Sequence, residues 1–442
     1  MRDGMAPSNG VSAGKSGDDE IPQIVSSASQ AGSPPVESGG LQNRRHRLSW
    51  WLERRIVERV FAAAGDPRVQ LELWDGSVVG PSDSAVGRIV LHQPAILRRL
   101  AWNPNLVFGE AFSDGTLTVQ GDLRQVLVEI NRGLSRARAS QPYRPTLRFT
   151  SKSHSLARSR SSVHHHYDLG NDFYRLWLDR QMVYTCAYYP RPDTTLEQAQ
   201  SAKLDYVCRK LRLKPGERVA EAGCGWGALA LHMARHYGVT VKAYNLSTEQ
   251  VQHARQWAAS DGLSDRVEFV QDDYRHLTGE FDAFVSVGML EHVGPENYLA
   301  MGQLISRILT PTGRGLIHTI GRNSVRPLDP WTDKYIFPGA HPPSLREMMD
   351  LFETTGLSVL DVENLRLHYA RTCADWLARF DAVADQVAAM FDERFVRMWR
   401  LYLAASSATF ETGDLQLFQV LFTRDTNNSI PITRADWYAE PF

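Results

Sequence analysis

The chain has 442 residues, of which 43% are hydrophobic and 22% charged, with a formal net charge of −1. This composition excludes a fibrous or wholly disordered protein, leaves room for two domains, and offers no bulk attraction to nucleic acid, so no nucleic-acid partner is expected. Cys186, Cys208, Cys224 and Cys373 form no CxxC pair, and no apolar run reaches the ~20 residues of a bilayer span. Neither a disulfide framework nor a transmembrane segment is therefore expected, and the N-terminus lacks a signal-peptide pattern. The expected location is the cytoplasm, with only peripheral contact at the inner face of the membrane.

Residues 1–40 are rich in Ser, Gly and Pro and read as a disordered tail. An N-terminal domain is expected over 41–136. It opens on a helix at 48–63 whose stripe holds Leu48, Trp51, Leu52, Ile56 and Val60, with Arg44, Arg45, Arg47, Arg54, Arg55 and Arg59 on or beside it. Such a basic amphipathic helix can lie on an anionic membrane, or can face a core with its basic side solvated. Short strands and helices follow, with a turn at Asp114-Gly115, which suggests a small α+β unit. Residues 137–162 carry Ser, Arg and two prolines without apolar periodicity, the pattern of a linker.

A catalytic domain is expected over 163–442. From about 194, helices at 194–213, 226–237, 248–260 and 296–309 alternate with the apolar strands RVAEA, VKAYN, VEFV, FDAFVSV and GLIHTI. That alternation predicts an α/β fold with a parallel sheet covered on both faces. A long helical stretch at 371–408 and a β-rich end at LQLFQVLFTR close the chain. The triple His164-His165-His166 is not expected to bind metal, because adjacent side chains point apart and nothing completes a ligand set.

Glu221-Ala-Gly223-Cys-Gly225-Trp-Gly227 follows a strand and opens a helix. Its glycines allow backbone to approach a ligand, and the helix start offers unpaired N–H groups. The spacing is GxGxG, which suits a nucleoside with an amino-acid tail better than a pyrophosphate. About 20 residues on, where a dinucleotide site would carry an acid, the chain has Asn245, with Gln250 in the next helix. Asp272, Asp273 and Tyr274 follow the third strand, where an adenine would sit.

The blocks VHHHYDLGNDFYRLWLD (163–179), MVYTCAYYPRPDTTLEQAQSAK (182–203), VAEAGCGWGALA (219–230), VGMLEHVG (287–294), LIHTIG (316–321), DKYIFPGA (333–340) and LHYARTCADW (367–376) resemble the cyclopropane-fatty-acyl-phospholipid synthases and their mycolic acid relatives. The resemblance implies a seven-stranded S-adenosylmethionine-dependent methyltransferase core with a helical cover, and an N-terminal domain facing lipid. It implies unsaturated membrane phospholipid as the substrate, and a homodimer is expected. It also implies a bound bicarbonate as base, surrounded by Cys186, Glu291, His318, Ile320 and Tyr369. Tyr184 and Thr185 would contact the cofactor together with Glu221, Gly223, Gly225, Gly227, Asn245, Gln250, Asp273 and Tyr274. The chain departs from the family pattern at Asn245 (usually Thr), Ala228 and Ala340 (commonly Gly), and Glu411 (often Arg).

The chemistry explains these residue types. An isolated alkene is a weak nucleophile and must meet a sulfonium methyl in line, so positioning carries most of the catalysis. The resulting cation must lose a proton to close the ring, and a strong protein nucleophile near it would be alkylated. A bicarbonate whose hydroxyl donates to Glu291 avoids that hazard, and a dry pocket prevents trapping by water. Two other readings remain: a methyl- or methylene-branching acyl methyltransferase, and a lipid-binding protein with a vestigial cofactor fold.

Overall fold

The computed structural model describes residues 53–139 and 169–438. The tail, residues 41–52, most of the expected linker and His164–His166 lie outside the described residues.

The first sheet has four strands, β1 (Gln70–Glu72), β2 (Val78–Val79), β3 (Gly87–Leu91) and β4 (Leu117–Gly121), in the order β2-β1-β3-β4. Strand β1 runs parallel to β3, while β3 and β4 are antiparallel and pair Gly87 with Gly121. Between them the helices Pro94–Trp102 and Pro104–Ser113 each begin on a proline, whose missing N–H costs nothing in a first turn. The expected turn at Asp114-Gly115 forms, with Gly115 at φ +73°. In the helix at 53–63, Val57 is fully buried while Arg54, Arg55 and Arg59 are exposed. The helix Leu123–Ala139 runs three residues past 136, into the stretch read as linker.

The second sheet has seven strands in the order β10-β11-β9-β8-β5-β6-β7. These are β5 (Arg218–Ala222), β6 (Thr240–Asn245), β7 (Val267–Gln271), β8 (Phe281–Val287), β9 (Leu309–Gly321), β10 (Leu357–Asn364) and β11 (Gln416–Arg424). Strands β5 to β9 are parallel, and β11 is antiparallel to both neighbours. Helices cover both faces, so the central strands are apolar nearly throughout, as in FDAFVSV. The chain lays β6 and β7 on one side of β5 and returns to β8 on the other. The carboxyl ends of β5 and β8 therefore open a crevice where such sheets bind ligands.

The seven-stranded α/β core is as expected. Two local readings are corrected. The stretch 371–408 is not one helix but parts of three, Arg366–Ala382, Ala384–Met390 and Glu393–Thr412. Asp392 starts the last by accepting from Phe395 N at 2.6 Å, a cap that competes with continuing the preceding helix. The break lets Glu393–Thr412 fold back along Arg366–Ala382. Strand β10 was not expected; it is an edge strand with little burial beyond Leu357, so apolar patterning does not reveal it.

The helix Glu393–Thr412 also carries the small sheet unit. Arg394 pairs with Asp114 at 2.7 Å, Glu411 pairs with Arg124 and Arg132, and Asp414 just beyond pairs with Arg138 at 2.6 Å. Beneath it sits an aromatic cluster in which Phe173 meets Trp399 edge-on at 5.1 Å and Trp177 meets Trp376 at 5.9 Å.

Candidate active site

A cavity of about 300 Å³ opens over the carboxyl ends of β5 to β9 and beneath the helices Arg366–Ala382 and Glu393–Thr412. At its floor, Gly223, Gly225 and Gly227 all have positive φ. A Cβ on Gly223 would lie 2.9 Å from Met289 Cβ, and one on Gly227 would lie 2.8 Å from the Phe269 ring. A Cβ on Gly225 would meet nothing within 4 Å, because that residue faces open space. Gly223 and Gly225 line the cavity; Gly227 is set back as the N-cap of the helix Ala228–Tyr237.

Beyond the loop, Asn245 ends β6. Its NH2 group donates to Gly225 O at 3.2 Å and to Gln250 Oε1 at 2.8 Å, and its oxygen accepts from Ser247 N at 3.2 Å. Asn245 thus ties the glycine loop to the next helix, and both it and Gln250 line the cavity. After β7, Asp273 is buried and caps the turn Tyr274–His276 by accepting from Arg275 N at 3.0 Å. Asp272, more exposed, faces His276 at 3.0 Å. Asp272, Asp273 and the Tyr274 ring form the far end of the cavity.

The opposite end is built from a loop held by the helix Leu196–Leu211. Gln200 Nε2 donates to the carbonyls of Val183 and Thr185 at 3.1 and 2.9 Å, and Lys203 Nζ donates to Thr185 Oγ1 at 2.9 Å. Tyr184 shares a hydrogen bond with Tyr402 at 2.8 Å. Below them Glu221 is buried on β5 with Oε2 unpartnered, and burial pushes its carboxyl up to about 8.

Glu291 sits in the one-turn helix Leu290–His292 that follows β8. Its Oε1 accepts from Ile320 N at 2.6 Å, while Oε2 is buried without a partner. Burial raises this carboxyl to about 7, against the lowering effect of its backbone hydrogen bonds. Ile320 and Tyr369 share the cavity wall with Glu291, and the Tyr369 ring stacks on Phe410 at 4.4 Å. The Ile320 amide is thereby engaged by Glu291.

Cys186 and His318 lie behind that wall. Burial holds the Cys186 thiol protonated, with Sγ 3.2 Å from Ala187 O. His318 is buried and neutral; Gln419 donates to Nδ1 at 3.0 Å, which places the ring proton on Nε2, a buried atom with no partner. Unsatisfied buried polar atoms are rare in folded proteins, and Glu221, Glu291 and His318 each contribute one around this cavity.

Lys203, Met289, Arg322, Trp331 and Cys373 also line the cavity and were not singled out in the sequence. Arg322 immediately follows LIHTIG and is 95% buried, donating to Arg326 O and Pro327 O at 3.0 and 2.8 Å. Trp331 packs on Gly109 of the small unit, where a Cβ would lie 2.3 Å from its ring. Adjacency to a recognised block was the only signal available for Arg322. Trp331, two residues before DKYIFPGA, carried the same weak signal. Among the described residues no cluster of His, Cys, Asp or Glu could hold a metal ion.

Residues 154–420 match the family model described as mycolic acid cyclopropane synthetase, and residues 56–137 match a domain of unknown function. The chain is 38% identical over 386 residues to a probable fatty acid methyltransferase of Pseudomonas putida, covering 84% of this chain and 96% of that one. It is 36% identical over 372 residues to a cyclopropane-fatty-acyl-phospholipid synthase of Escherichia coli K12, covering 83% and 96%. A solved mycolic acid cyclopropane synthase, complexed with SAH and CTAB, matches with a TM-score of 0.57 at 32% identity, covering 60% of this chain and 98% of that one.

Proposed function

This chain belongs to the mycolic acid cyclopropane synthetase family, and from that premise we propose that it builds cyclopropane rings into the unsaturated acyl chains of membrane phospholipids. S-adenosylmethionine supplies the one-carbon unit as an electrophilic methyl group. The cavity suits it: a glycine floor that accepts close approach, polar groups after β6 and β7 for a nucleoside, and charged groups at the other end for an amino-acid tail. Gly223, Gly225, Asn245, Gln250, Asp273, Tyr274, Tyr184, Thr185 and Glu221 would hold it, with Asn245 acting chiefly on the loop and Gly227 shaping the turn.

The observation that carries the reading is Glu291. Its Oε2 is an unsatisfied acceptor in a cavity whose lining includes Ile320, Tyr369, Phe410, Trp331 and Phe337. That wall excludes water and presents aromatic faces to positive charge developing on an acyl chain. A bicarbonate beside Glu291 would supply the base. Oε2 would accept its hydroxyl proton, and Tyr369 lies on the same wall. His318 and Cys186, set behind it, would shape the site from the second layer.

No described helix is long and apolar enough to cross a membrane. We place the protein in the cytoplasm, peripheral at the inner face of the membrane, with the small unit toward lipid and two chains in the assembly.

Full-length protein incubated with labelled cofactor and unsaturated phospholipid vesicles tests this, with NMR of the released fatty acids. High-field ring protons are expected. Vinylidene or simple methyl-branch signals would replace the ring with a branch. Removal of bicarbonate is expected to depress turnover and its return to restore it.

A further inference from the structure

We propose that the free edge of the Arg322 guanidinium, Nε and Nη2, is a phosphate subsite in the cavity wall, and that it takes the phosphate of the phospholipid substrate. This rests on the acyl-lipid reading above and deepens it, giving a role to a side chain that the chemistry of ring closure leaves unused.

Arg322 directly follows β9, and its N–H donates to Pro343 O at 2.8 Å, so extended backbone continues one residue past the strand. Side chains alternate along such backbone, and two residues span about 7 Å. A Cβ on Gly321 would lie 2.7 Å from the Phe418 ring, so that position faces the packed side. Ile320 and Arg322 face the other way and both line the cavity. The Ile320 N–H meets Glu291, so Arg322 stands next along the wall that carries the base. In the sheet order, β8 separates β9 from β5 and its glycine loop, while the polar groups expected to hold the nucleoside follow β6 and β7 beyond β5. The arginine is therefore placed for the lipid and not for the cofactor.

Arg322 is only 5% exposed. Nη1 donates to the carbonyls of Arg326 and Pro327 at 3.0 and 2.8 Å, which fixes the guanidinium plane. Nε is buried without a partner. Among the described residues none accepts from Nη2, and no carboxylate comes within ion-pair distance of the group. The acids whose fields reach it are engaged elsewhere. Asp414 pairs with Arg326 at 2.7 Å and with Arg138 at 2.6 Å, and Asp329 Oδ1 accepts from the N–H groups of Trp331 and Thr332 at 3.1 and 3.0 Å. Arg322, Arg326 and Arg138 against these two acids leave one positive charge over, and burial pulls Arg322 down to about 10. A buried charge without a counter-charge is costly. Holding the loop needs only Nη1; the opposite edge presents two parallel N–H groups, the fork that a phosphate accepts bidentately. The lining nearby in the chain, Leu328 and Trp331, is apolar and suits the glyceride end of an acyl chain.

The test compares dioleoylphosphatidylglycerol with dioleoylglycerol, which lacks the phosphate, in neutral-detergent micelles with labelled S-adenosylmethionine and the full-length chain. Wild-type protein is expected to prefer the phosphate-bearing lipid by roughly 30-fold in kcat/KM, mainly through KM. Arg322→Met should bring the two lipids within about threefold of each other, and Arg322→Lys, which keeps the charge but not the fork, should restore part of the preference. A preference that survives intact in Arg322→Met would overturn the proposal. The bicarbonate dependence of turnover should be the same in wild type and Arg322→Met; a shift would assign the arginine to the base and overturn it as well. Glycerol 3-phosphate separates a lipid headgroup from a free phosphate. Inhibition of wild type that competes with the phospholipid and is lost in Arg322→Met is expected, whereas such inhibition without any preference between the two lipids would overturn the lipid assignment. Should Arg322→Met fail to fold, Arg322→Lys decides, and a preference equal to wild type there sinks the subsite. Equal kcat/KM for both lipids in wild type removes the subsite but leaves the acyl-lipid reading standing. Methyl transfer to neither lipid would overturn both.

Discussion

The Glu291 carboxylate and the Ile320 amide are joined by a 2.6 Å hydrogen bond to Oε1, and this contact decides that Oε2 is the oxygen left without a partner. A strand end and a one-turn helix, from different parts of the chain, thereby aim one acceptor atom.

Glu291→Gln keeps the oxygen that accepts from Ile320 N but removes the basic one. The variant is expected to fold, with a melting temperature no lower than wild type and retained S-adenosylhomocysteine binding. Its turnover should fall by roughly 10²–10⁴-fold, the usual contribution of a positioned acid–base group. Turnover equal to wild type would remove Glu291 from the chemistry.

Acidity should act on stability and activity in opposite directions. Burial raises Glu291 to about 7 and Glu221 to about 8, both from 4.5. The folded state therefore holds protons that the unfolded state has released, so this stabilisation is complete below pH 4.5 and is lost as pH rises through about 7 and 8. The melting temperature of ligand-free protein should fall across that window, and less steeply in Glu221→Gln. Turnover should instead rise through about pH 7, where Glu291 becomes able to accept a proton. A flat kcat profile between pH 6 and 8 would contradict this.

Alanine at two neighbouring glycines should separate binding from folding. At Gly227, with φ +93°, a methyl group meets the Phe269 ring and Ala254 within 3 Å, and a loss of about 1–3 kcal/mol is expected in denaturant unfolding. At Gly225, with φ +52°, the methyl projects into open space. Gly225→Ala should lose cofactor affinity with a smaller change in stability. The reverse ranking would mean that the cavity floor does not meet the ligand.

Glu411→Arg places a third guanidinium beside Arg124 and Arg132. Exposed ion pairs contribute little, whereas like charges at this junction repel. Faster proteolysis between the small unit and the rest is expected, with an unfolding free energy lower by about 1 kcal/mol. Unchanged proteolysis would show that Arg394–Asp114 and Arg138–Asp414 suffice to hold the unit.

Much of this was written in the sequence, for a physical reason. Strands buried on both faces must be apolar nearly throughout, so FDAFVSV announces itself, and a close-approach turn needs its glycines. Local patterning of that kind yields the sheet, the floor of the cavity and the likeness of the ordered blocks to a known family. Tertiary structure alone decided which groups meet. Asn245 turned inward on Gly225 and Gln250, His318 and Cys186 were set behind the wall, and Asp392 broke a helix so that Tyr402 could reach Tyr184. Periodicity records which side of an element is buried; it carries no information on which distant buried charge lies opposite, because that depends on how the elements pack in three dimensions.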